Sequence, residues 1–274
     1  MVREITIGQY YPVDSILHKL DPRVKIVCTL IFLISLFVQN NVTGYLLATI
    51  FLVAVITLSK VPASFIIRGL KPVLILLLFT GVMNLFFTQG GAVLAHFWVF
   101  TITEKGLRTA VYMSIRLIYL IAGSSLMTFT TTPNALTDGI ETLLNPLNKI
   151  RVPVHEIAMI MSIALRFIPI LLEETDKIMK AQIARGADLE SGNMIQKMKS
   201  MVPILVPLFV SAFRRANDLA MAMESRCYRG GEGRTKMKPL VYESRDRAAY
   251  AITILFFIAM AAGGRILPIH LWIF

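Results

Sequence analysis

Residues 26–58 read IVCTLIFLISLFVQNNVTGYLLATIFLVAVITL, in which two apolar runs flank a short polar link at 40–43. A helix that crosses the hydrocarbon core of a bilayer needs about 20 mostly apolar residues, and each run approaches that length. The pattern therefore predicts a tight hairpin of two transmembrane helices. This hairpin indicates an integral membrane protein.

The composition of the whole chain also favours a membrane protein. Hydrophobic residues make up 55% of the 274 positions and charged residues 16%, with a mean hydropathy of +0.66. Soluble domains carry about 25% charged residues, so part of this chain is expected to face lipid. Lys and Arg outnumber Asp and Glu by 28 to 17. Retention of basic residues in the cytoplasm explains this excess better than nucleic-acid binding, and no nucleic-acid partner is expected.

Three further apolar runs lie at 72–88, 107–129 and 248–263. Together with the hairpin they predict an all-α membrane protein with about five transmembrane helices. Basic residues concentrate before the first helix, between the second and third, and throughout 131–247. By the positive-inside rule, the N-terminus and 131–247 are cytoplasmic and the C-terminus is outside.

The chain is expected to fall into three parts. Residues 1–130 hold four transmembrane helices, 131–245 form long cytoplasmic helices, and 246–274 hold the final transmembrane helix. Two apolar runs in the middle part, 154–172 and 201–213, are ambiguous because a second hairpin there would give seven crossings. We prefer long, bent cytoplasmic helices, since each run contains proline and a hairpin would export five basic residues: Lys177, Lys180, Arg185, Lys197 and Lys199.

A short internal repeat lies at the predicted ends of these two long helices. Residues 181–186 and 222–227 share the pattern Ala-x-x-(Ala/Ser)-Arg-(Gly/Cys). A guanidinium between small neighbours can enter a partner's pocket and bind a carboxylate there, and two copies would fit two equivalent partner subunits. The alternative is that each arginine only complements the helix dipole and the unpaired carbonyls. The predicted docking residues are Ala184, Arg185, Gly186, Ser225, Arg226 and Cys227.

No motif in the sequence indicates catalysis. There is no Gly-x-x-x-x-Gly-Lys-(Ser/Thr), no His-Glu-x-x-His and no Gly-x-Ser-x-Gly, and the four histidines are scattered. We therefore expect no catalytic residue, no bound metal and no cofactor. Arg116 lies near the middle of 107–129, where an ionisable side chain is costly. Pairing within the helix bundle or snorkelling to the interface is preferred for it, with a substrate contact as the alternative.

Several motifs spread over the chain are distinctive: Gly8-Gln9-Tyr10 through Asp14-Ser15, Leu20-Asp21-Pro22-Arg23-Val24-Lys25, Ala164-Leu165-Arg166-Phe167-Ile168-Pro169, Ala184-Arg185-Gly186, and Glu224-Ser225-Arg226-Cys227-Tyr228-Arg229-Gly230. They resemble the transmembrane T component of energy-coupling factor transporters, a branch of the ATP-binding cassette importers. The second arginine motif reads Ser-Arg-Cys rather than Ala-Arg-Gly, which exchanges small residues for small ones.

The resemblance implies an L-shaped, all-helical protein in a bacterial or archaeal cell membrane. Its long coupling helices would hold two ABC-type ATPase subunits through Arg185 and Arg226. Those subunits would bind ATP, so the chain itself would need no cofactor and would not be an enzyme. A substrate-binding membrane protein, the S component, would sit on an apolar platform of the coupling helices, formed by Met159, Ile163, Phe167, Leu171, Met201, Leu205 and Phe209.

The substrate class is open between two groups of this family. One group shares its T component among several vitamin-binding proteins, and the Arg-Gly-Gly-Glu-Gly-Arg-Thr sequence at 229–235 is closer to that group. Nine of the 14 methionines lie in 150–240 and would suit several partners, or equally fill a helical core. The alternatives are a dedicated cobalt or nickel importer and, from another class, a membrane-embedded lipid enzyme.

Overall fold

The computed structural model describes residues 10–38, 41–88, 90, 93–97, 100–187, 193–231 and 235–266. The chain divides into two compact units. Among the described residues, those from 141 to 239 form the central unit, and those from 10 to 140 together with those from 240 to 266 form the discontinuous unit. Gly8 and Gln9 of the first motif, and the chain beyond 266, lie outside the described residues.

Helices follow the apolar runs that the sequence shows. In the discontinuous unit these helices are α1 (Pro22–Val38), α2 (Val42–Ser59), α3 (Ala63–Leu70), α4 (Leu74–Phe87), α5 (Glu104–Thr130) and α9 (Ser244–Ile266), with a 3-10 turn at Lys71–Val73. Helix α6 (Pro133–Leu144) spans the boundary in the sequence between the units. The central unit continues with a 3-10 turn at Asn145–Ile150, α7 (Val154–Ala184) and α8 (Met194–Ser225).

Several of these helices meet the requirements of a membrane span. Among the residues that the structure describes, four segments are long and apolar enough to cross a membrane: Val42–Ser59, Ala63–Phe87, Glu104–Thr130 and Val154–Ala184. With 17 mostly apolar residues, α1 lies at the lower limit of spanning length. The all-α membrane fold is therefore confirmed. By length and composition α7 also qualifies as a span, and its placement in the cytoplasm stays a prediction.

A small β-hairpin interrupts the helical architecture between α4 and α5. Strand β1 (Val93–Phe97) pairs antiparallel with β2 (Phe100–Thr103). The apolar runs predicted no strand here, only a connection between two transmembrane helices. The run His-Phe-Trp-Val-Phe-Thr-Ile-Thr at 96–103 is rich in aromatic and β-branched residues, which favour strands, so composition could have indicated the hairpin.

The core of the discontinuous unit lies where α1, α2, α5 and α9 pack together. Phe51 of α2 stacks on Phe256 of α9 with ring centroids 4.2 Å apart, and Phe32 of α1 packs against both rings. Gly123 brings α5 close to α1, because a Cβ at that position would lie 2.6 Å from the Phe32 ring. Aromatic stacking and a close backbone approach therefore join the first and last helices of the unit.

The motif at 20–25 forms a buried polar network in the same unit. The Arg23 guanidinium donates two hydrogen bonds to the Asp21 carboxylate, at 2.8 and 3.0 Å, and lies 3.9 Å from the centre of the Tyr242 ring. Asp246 accepts from the backbone N–H of Asp21 at 2.9 Å. Lys25 Nζ donates to the carbonyl of Thr130 at 2.7 Å. Buried charges must be paired or hydrogen-bonded, and this motif does so by joining the start of α1 to the start of α9.

Arg116 is paired within the helix bundle, as the sequence predicts. Its Nε donates to the Tyr45 hydroxyl of α2 at 3.0 Å, and its guanidinium lies 5.5 Å from the centre of the Phe37 ring. The prediction of a bundle partner is confirmed, and the cation joins α5 to α1 and α2.

Candidate docking site at the ends of two long helices

Both predicted long helices are continuous from the apolar run to the charged end. Helix α7 has 31 residues and α8 has 32, so each is about 47 Å long at 1.5 Å per residue. Pro169 lies inside α7, and Pro203 and Pro207 lie inside α8, without ending either helix. The prediction of one long helix in each region is confirmed.

Helix α7 ends in a Schellman motif. Arg185 is the C-cap, the N–H of Gly186 donates to the carbonyl of Ile183 at 2.9 Å, and the N–H of Ala187 donates to that of Gln182 at 3.0 Å. Gly186 has a φ of +88°, in the left-handed region that this motif requires.

Helix α8 ends in the same way. Arg226 is the C-cap, the N–H of Cys227 donates to the carbonyl of Glu224 at 2.9 Å, and the N–H of Tyr228 donates to that of Met223 at 3.0 Å. Cys227 has a φ of 58°. Each hydrogen bond of one end has its equivalent at the other, so the internal repeat of the sequence is also a repeat of backbone geometry.

The Schellman geometry gives a second reason for the small residue after each arginine, and the sequence pattern did not indicate this reason. A Cβ added at Gly186 would meet nothing within 4 Å, so space within the chain does not demand glycine there. The positive φ does, because a side chain in the left-handed region costs about 1–2 kcal/mol. At the second end Cys227 carries that strain. The glycine at the last position of the first motif therefore marks the turn out of the helix as well as an open approach to the arginine.

Both arginine side chains are exposed, as are their neighbours Ala184, Gly186, Ser225 and Cys227. Among the described residues, neither Arg185 nor Arg226 forms an ion pair with a carboxylate. The guanidinium groups are therefore not folded into the interior of their own unit.

The two helices contact each other at equivalent positions. Arg215 of α8 donates to Glu174 of α7 at 2.9 Å, and each of these residues lies eleven positions before the arginine at the end of its own helix. Gln182 of α7 donates to the carbonyl of Pro203 in α8 at 3.3 Å. The later residue of α7, Gln182, contacts the earlier residue of α8, Pro203, so the two helices run antiparallel where they touch. The arginines lie about 16 Å of helix beyond the Glu174–Arg215 pair, in opposite directions.

The chain that follows α8 is held back against the start of α7. Lys236 Nζ donates to Glu141 at 2.6 Å, and the other oxygen of this carboxylate lies 2.8 Å from His155 Nδ1. Gly231 packs on the His155 ring, where a Cβ would come within 2.6 Å. Burial opposes ionisation of Glu141, but hydrogen bonds from Lys236 and His155 outweigh it and lower the pKa of Glu141 below its usual 4.5. We call Glu141, His155 and Lys236 the tail clamp.

The predicted platform residues differ in exposure between the two helices. Met201, Leu205 and Phe209 of α8 are 54%, 43% and 62% exposed. They belong to a longer apolar stripe on α8 formed by Ile195, Met198, Met201, Val202, Leu205, Val206, Phe209, Val210 and Phe213. The four predicted α7 residues are half-buried: Met159, Ile163, Phe167 and Leu171. The more exposed apolar residues of α7 are Ile157, Ile160, Met161, Ile168 and Ile183.

No group of three or more His, Cys, Asp or Glu side chains in the described part of the chain is placed to hold a metal ion. The site consists instead of two exposed guanidinium groups on equivalent helix ends. Together with the apolar helices, it defines a class of helical membrane protein with exposed arginines at two equivalent helix ends.

Comparison with known proteins agrees with this class. The sequence profile of the CbiQ family, described as cobalt transport protein, matches residues 14–237. A protein of Clostridium kluyveri, named energy-coupling factor transporter transmembrane protein EcfT, is 59% identical over 90% of this chain and 92% of its own length. Proteins of the same name from Thermosediminibacter oceani and Bacillus subtilis are 54% and 48% identical, over 99% and 93% of this chain and 100% and 96% of their own lengths.

The chain therefore belongs to the CbiQ/EcfT family, the transmembrane components of energy-coupling factor transporters. It is a membrane component of a transport system and not an enzyme. The family predicted from the short motifs is confirmed.

Proposed function

We propose that this chain is the coupling subunit of an energy-coupling factor importer, in which Arg185 and Arg226 bind two ATPase subunits. The observation that carries this proposal is the pair of equivalent Schellman ends, each with an exposed guanidinium that has no carboxylate partner among the described residues. A planar, permanently charged group of this kind suits a bidentate carboxylate in a partner's pocket.

The direction of the two ends supports two partners rather than one. The antiparallel contact of α7 with α8 sends the arginines away from the Glu174–Arg215 pair in opposite directions. Two copies of one pocket, one on each ATPase subunit, could then take the two tips. Closure of the ATPase pair on ATP would pull on both helices, and the Glu174–Arg215 contact would be the pivot between them.

The exposed apolar stripe on α8 supports a second kind of partner, a membrane protein, in addition to the ATPase subunits. Nine exposed apolar side chains follow one another at helical spacing from Ile195 to Phe213. Exposed apolar surface of this extent marks an interaction site. We assign it to a substrate-binding S component, together with the predicted residues of α7, so that helix motion would pass to the substrate-binding protein.

The proposed substrates are vitamins, delivered by more than one S component. The methionines of the stripe, Met198 and Met201, are flexible side chains that can repack against differently shaped partners. The alternative is a single cobalt-binding partner, which the description of the matching family profile favours. Sequencing the membrane proteins that co-purify with the chain from its own organism distinguishes these alternatives. Several different S components would support vitamin import, and a single S component would support cobalt import.

The docking proposal is tested with the double variant Arg185→Glu and Arg226→Glu. Reversal of both charges should abolish co-purification of the ATPase subunits and stop uptake, while the chain stays in the membrane. The matched control is Arg214→Glu, which reverses an exposed arginine of α8 twelve residues before Arg226. Normal assembly and uptake in the double variant would overturn the proposal.

A further inference from the structure

A cavity of about 300 Å³ opens between α1, α2, α5 and α9 of the discontinuous unit. Its wall is mainly aliphatic and aromatic, with Val24, Phe32, Phe51, Leu52 and Leu126 among the lining residues. The lining extends from Val24 to Phe32 on α1, and over an equal number of residues on α9, which corresponds to about 12 Å along a helix. The cavity is therefore an apolar slot about two helical turns deep.

Two cationic side chains line the slot at the end where α1 and α9 begin. Lys25 Nζ donates to the carbonyls of Thr130 and His18, at 2.7 and 3.1 Å, which uses two of the three N–H groups of its ammonium. Arg245 forms an ion pair with Glu243 at 2.8 Å through a terminal nitrogen. Its Nε is buried and has no hydrogen-bond partner among the described residues.

The nearby carboxylates do not satisfy that donor. Asp21 is bound by the guanidinium of Arg23. Asp246 accepts from the backbone N–H groups of Asp21 and Glu243, at 2.9 and 2.8 Å. Glu243 is more than half exposed and contacts the other end of the Arg245 guanidinium. A buried N–H group without an acceptor is unfavourable, and an oxygen-bearing anion at this end of the slot would remove the deficit.

We propose that this slot binds one acyl chain of an anionic phospholipid, with Arg245 holding the phosphate. The apolar wall accepts the chain, and the cationic end accepts the headgroup. The positive-inside rule predicts that this end faces the cytoplasm, and basic pockets between transmembrane helices on that side are known to bind acidic headgroups.

The size of the slot argues against a protein occupant. A helix with its side chains is about 10–12 Å across, so two turns of it need far more than 300 Å³. Water does not suit the apolar wall, because cavities lined by aliphatic and aromatic side chains stay dry. A single flexible hydrocarbon chain fits both the volume and the depth.

The test measures lipid retention by the purified full-length chain. Native mass spectrometry in detergent, with phosphatidylglycerol or phosphatidylcholine of the same acyl chains, should show one phosphatidylglycerol bound about tenfold more tightly. Arg245→Gln should weaken that binding about tenfold, as expected for loss of one charge-assisted hydrogen bond. The matched control, Arg247→Gln, removes an exposed arginine two residues further along α9 that does not line the slot, and should change binding less than about twofold.

A second measurement does not depend on the arginine variants. Cys28 lines the slot, and Cys227→Ser leaves it as the single cysteine. Phosphatidylglycerol should slow the labelling of Cys28 by a thiol reagent, and phosphatidylcholine at the same concentration should not. Equal weakening by Arg245→Gln and Arg247→Gln would show diffuse attraction and overturn the proposal. Unchanged labelling of Cys28 with phosphatidylglycerol bound would also overturn it, because the chain would then lie elsewhere.

Discussion

The end of α7 and the end of α8 share both hydrogen bonds of the Schellman motif, but the chain that follows them is held differently. Beyond Arg226, the tail clamp ties Lys236 to Glu141 of α6, and Gly231 packs on His155 at the start of α7. Beyond Arg185, the described residues show no such tie before the chain passes to 188–192, outside the described part. The two equivalent helix ends are therefore supported differently: the chain after α8 is tied back to the central unit, and the described chain after α7 is not.

The strongest test of the comparison reverses one arginine at a time. Arg185→Glu and Arg226→Glu should each weaken ATPase binding by about 2–5 kcal/mol, because each leaves a carboxylate of the partner facing another carboxylate. Quantitative co-purification of the ATPase subunits with each single variant measures this loss. If the tips are equivalent, the two losses should agree; a loss confined to one tip would break the equivalence.

The tail clamp is the next largest effect. Glu141→Gln removes the charge that binds Lys236 and His155, and should cost about 1–2 kcal/mol of local stability, since the pair is partly exposed. Hydrogen exchange of 228–236 should become faster, while the residues around Arg185 keep their rates. Glu156→Gln, in the same turn of α7 as His155 but outside the clamp, is the control. Unchanged exchange at 228–236 would show that the clamp does not hold the tail.

The clamp should also depend on pH. The pKa of Glu141 is lowered in the folded chain, so its contribution to stability is complete above its unfolded value of about 4.5 and is lost as the pH falls through the lower folded value. Hydrogen exchange at 228–236 should therefore accelerate only on acidification below about pH 4.5. In Glu141→Gln this acceleration should disappear, whereas persistence of the same pH profile would assign it to another group.

The smallest effect concerns the left-handed residue of each end. Cys227→Gly should stabilise the chain by about 1 kcal/mol, because glycine adopts a φ of 58° without strain. Gly186→Cys should destabilise it by a similar amount. Thermal unfolding in detergent measures both changes, and opposite signs are expected. Two destabilising results would mean that the Cys227 side chain makes a contribution beyond its backbone strain.

The sequence predicted the parts of this fold that depend on local pattern. Apolar runs indicated the positions of α1, α2, α4, α5 and α9, and the small-residue pattern around arginine indicated two helix ends. Each of these patterns lies within a short stretch of sequence, so it can be recognised without knowing which distant residues contact it. The same holds for Arg116, whose cost at membrane depth predicted a partner that proved to be the hydroxyl of Tyr45.

Contacts between distant residues could not be predicted in the same way. The tail clamp joins Glu141 to Lys236, and the pairing of Glu174 with Arg215 depends on how two 30-residue helices pack. The sequence pattern also could not predict which face of α7 is exposed, because apolar residues lie on nearly every side of this helix. The β-hairpin was missed for a different reason. Its residues lie between two apolar runs, and the prediction used the apolar runs and the charges of the loops rather than strand propensity.

The hydrogen bond from the Asp21 amide to Asp246 spans 225 positions of the chain. During synthesis, the ribosome completes the whole of 141–239 before α9 exists. Until α9 is made, Phe32 of α1 and Phe51 of α2 therefore lack their aromatic contact with Phe256. The discontinuous unit is therefore completed last, because the hydrogen bond between Asp21 and Asp246 can form only after α9 has been made.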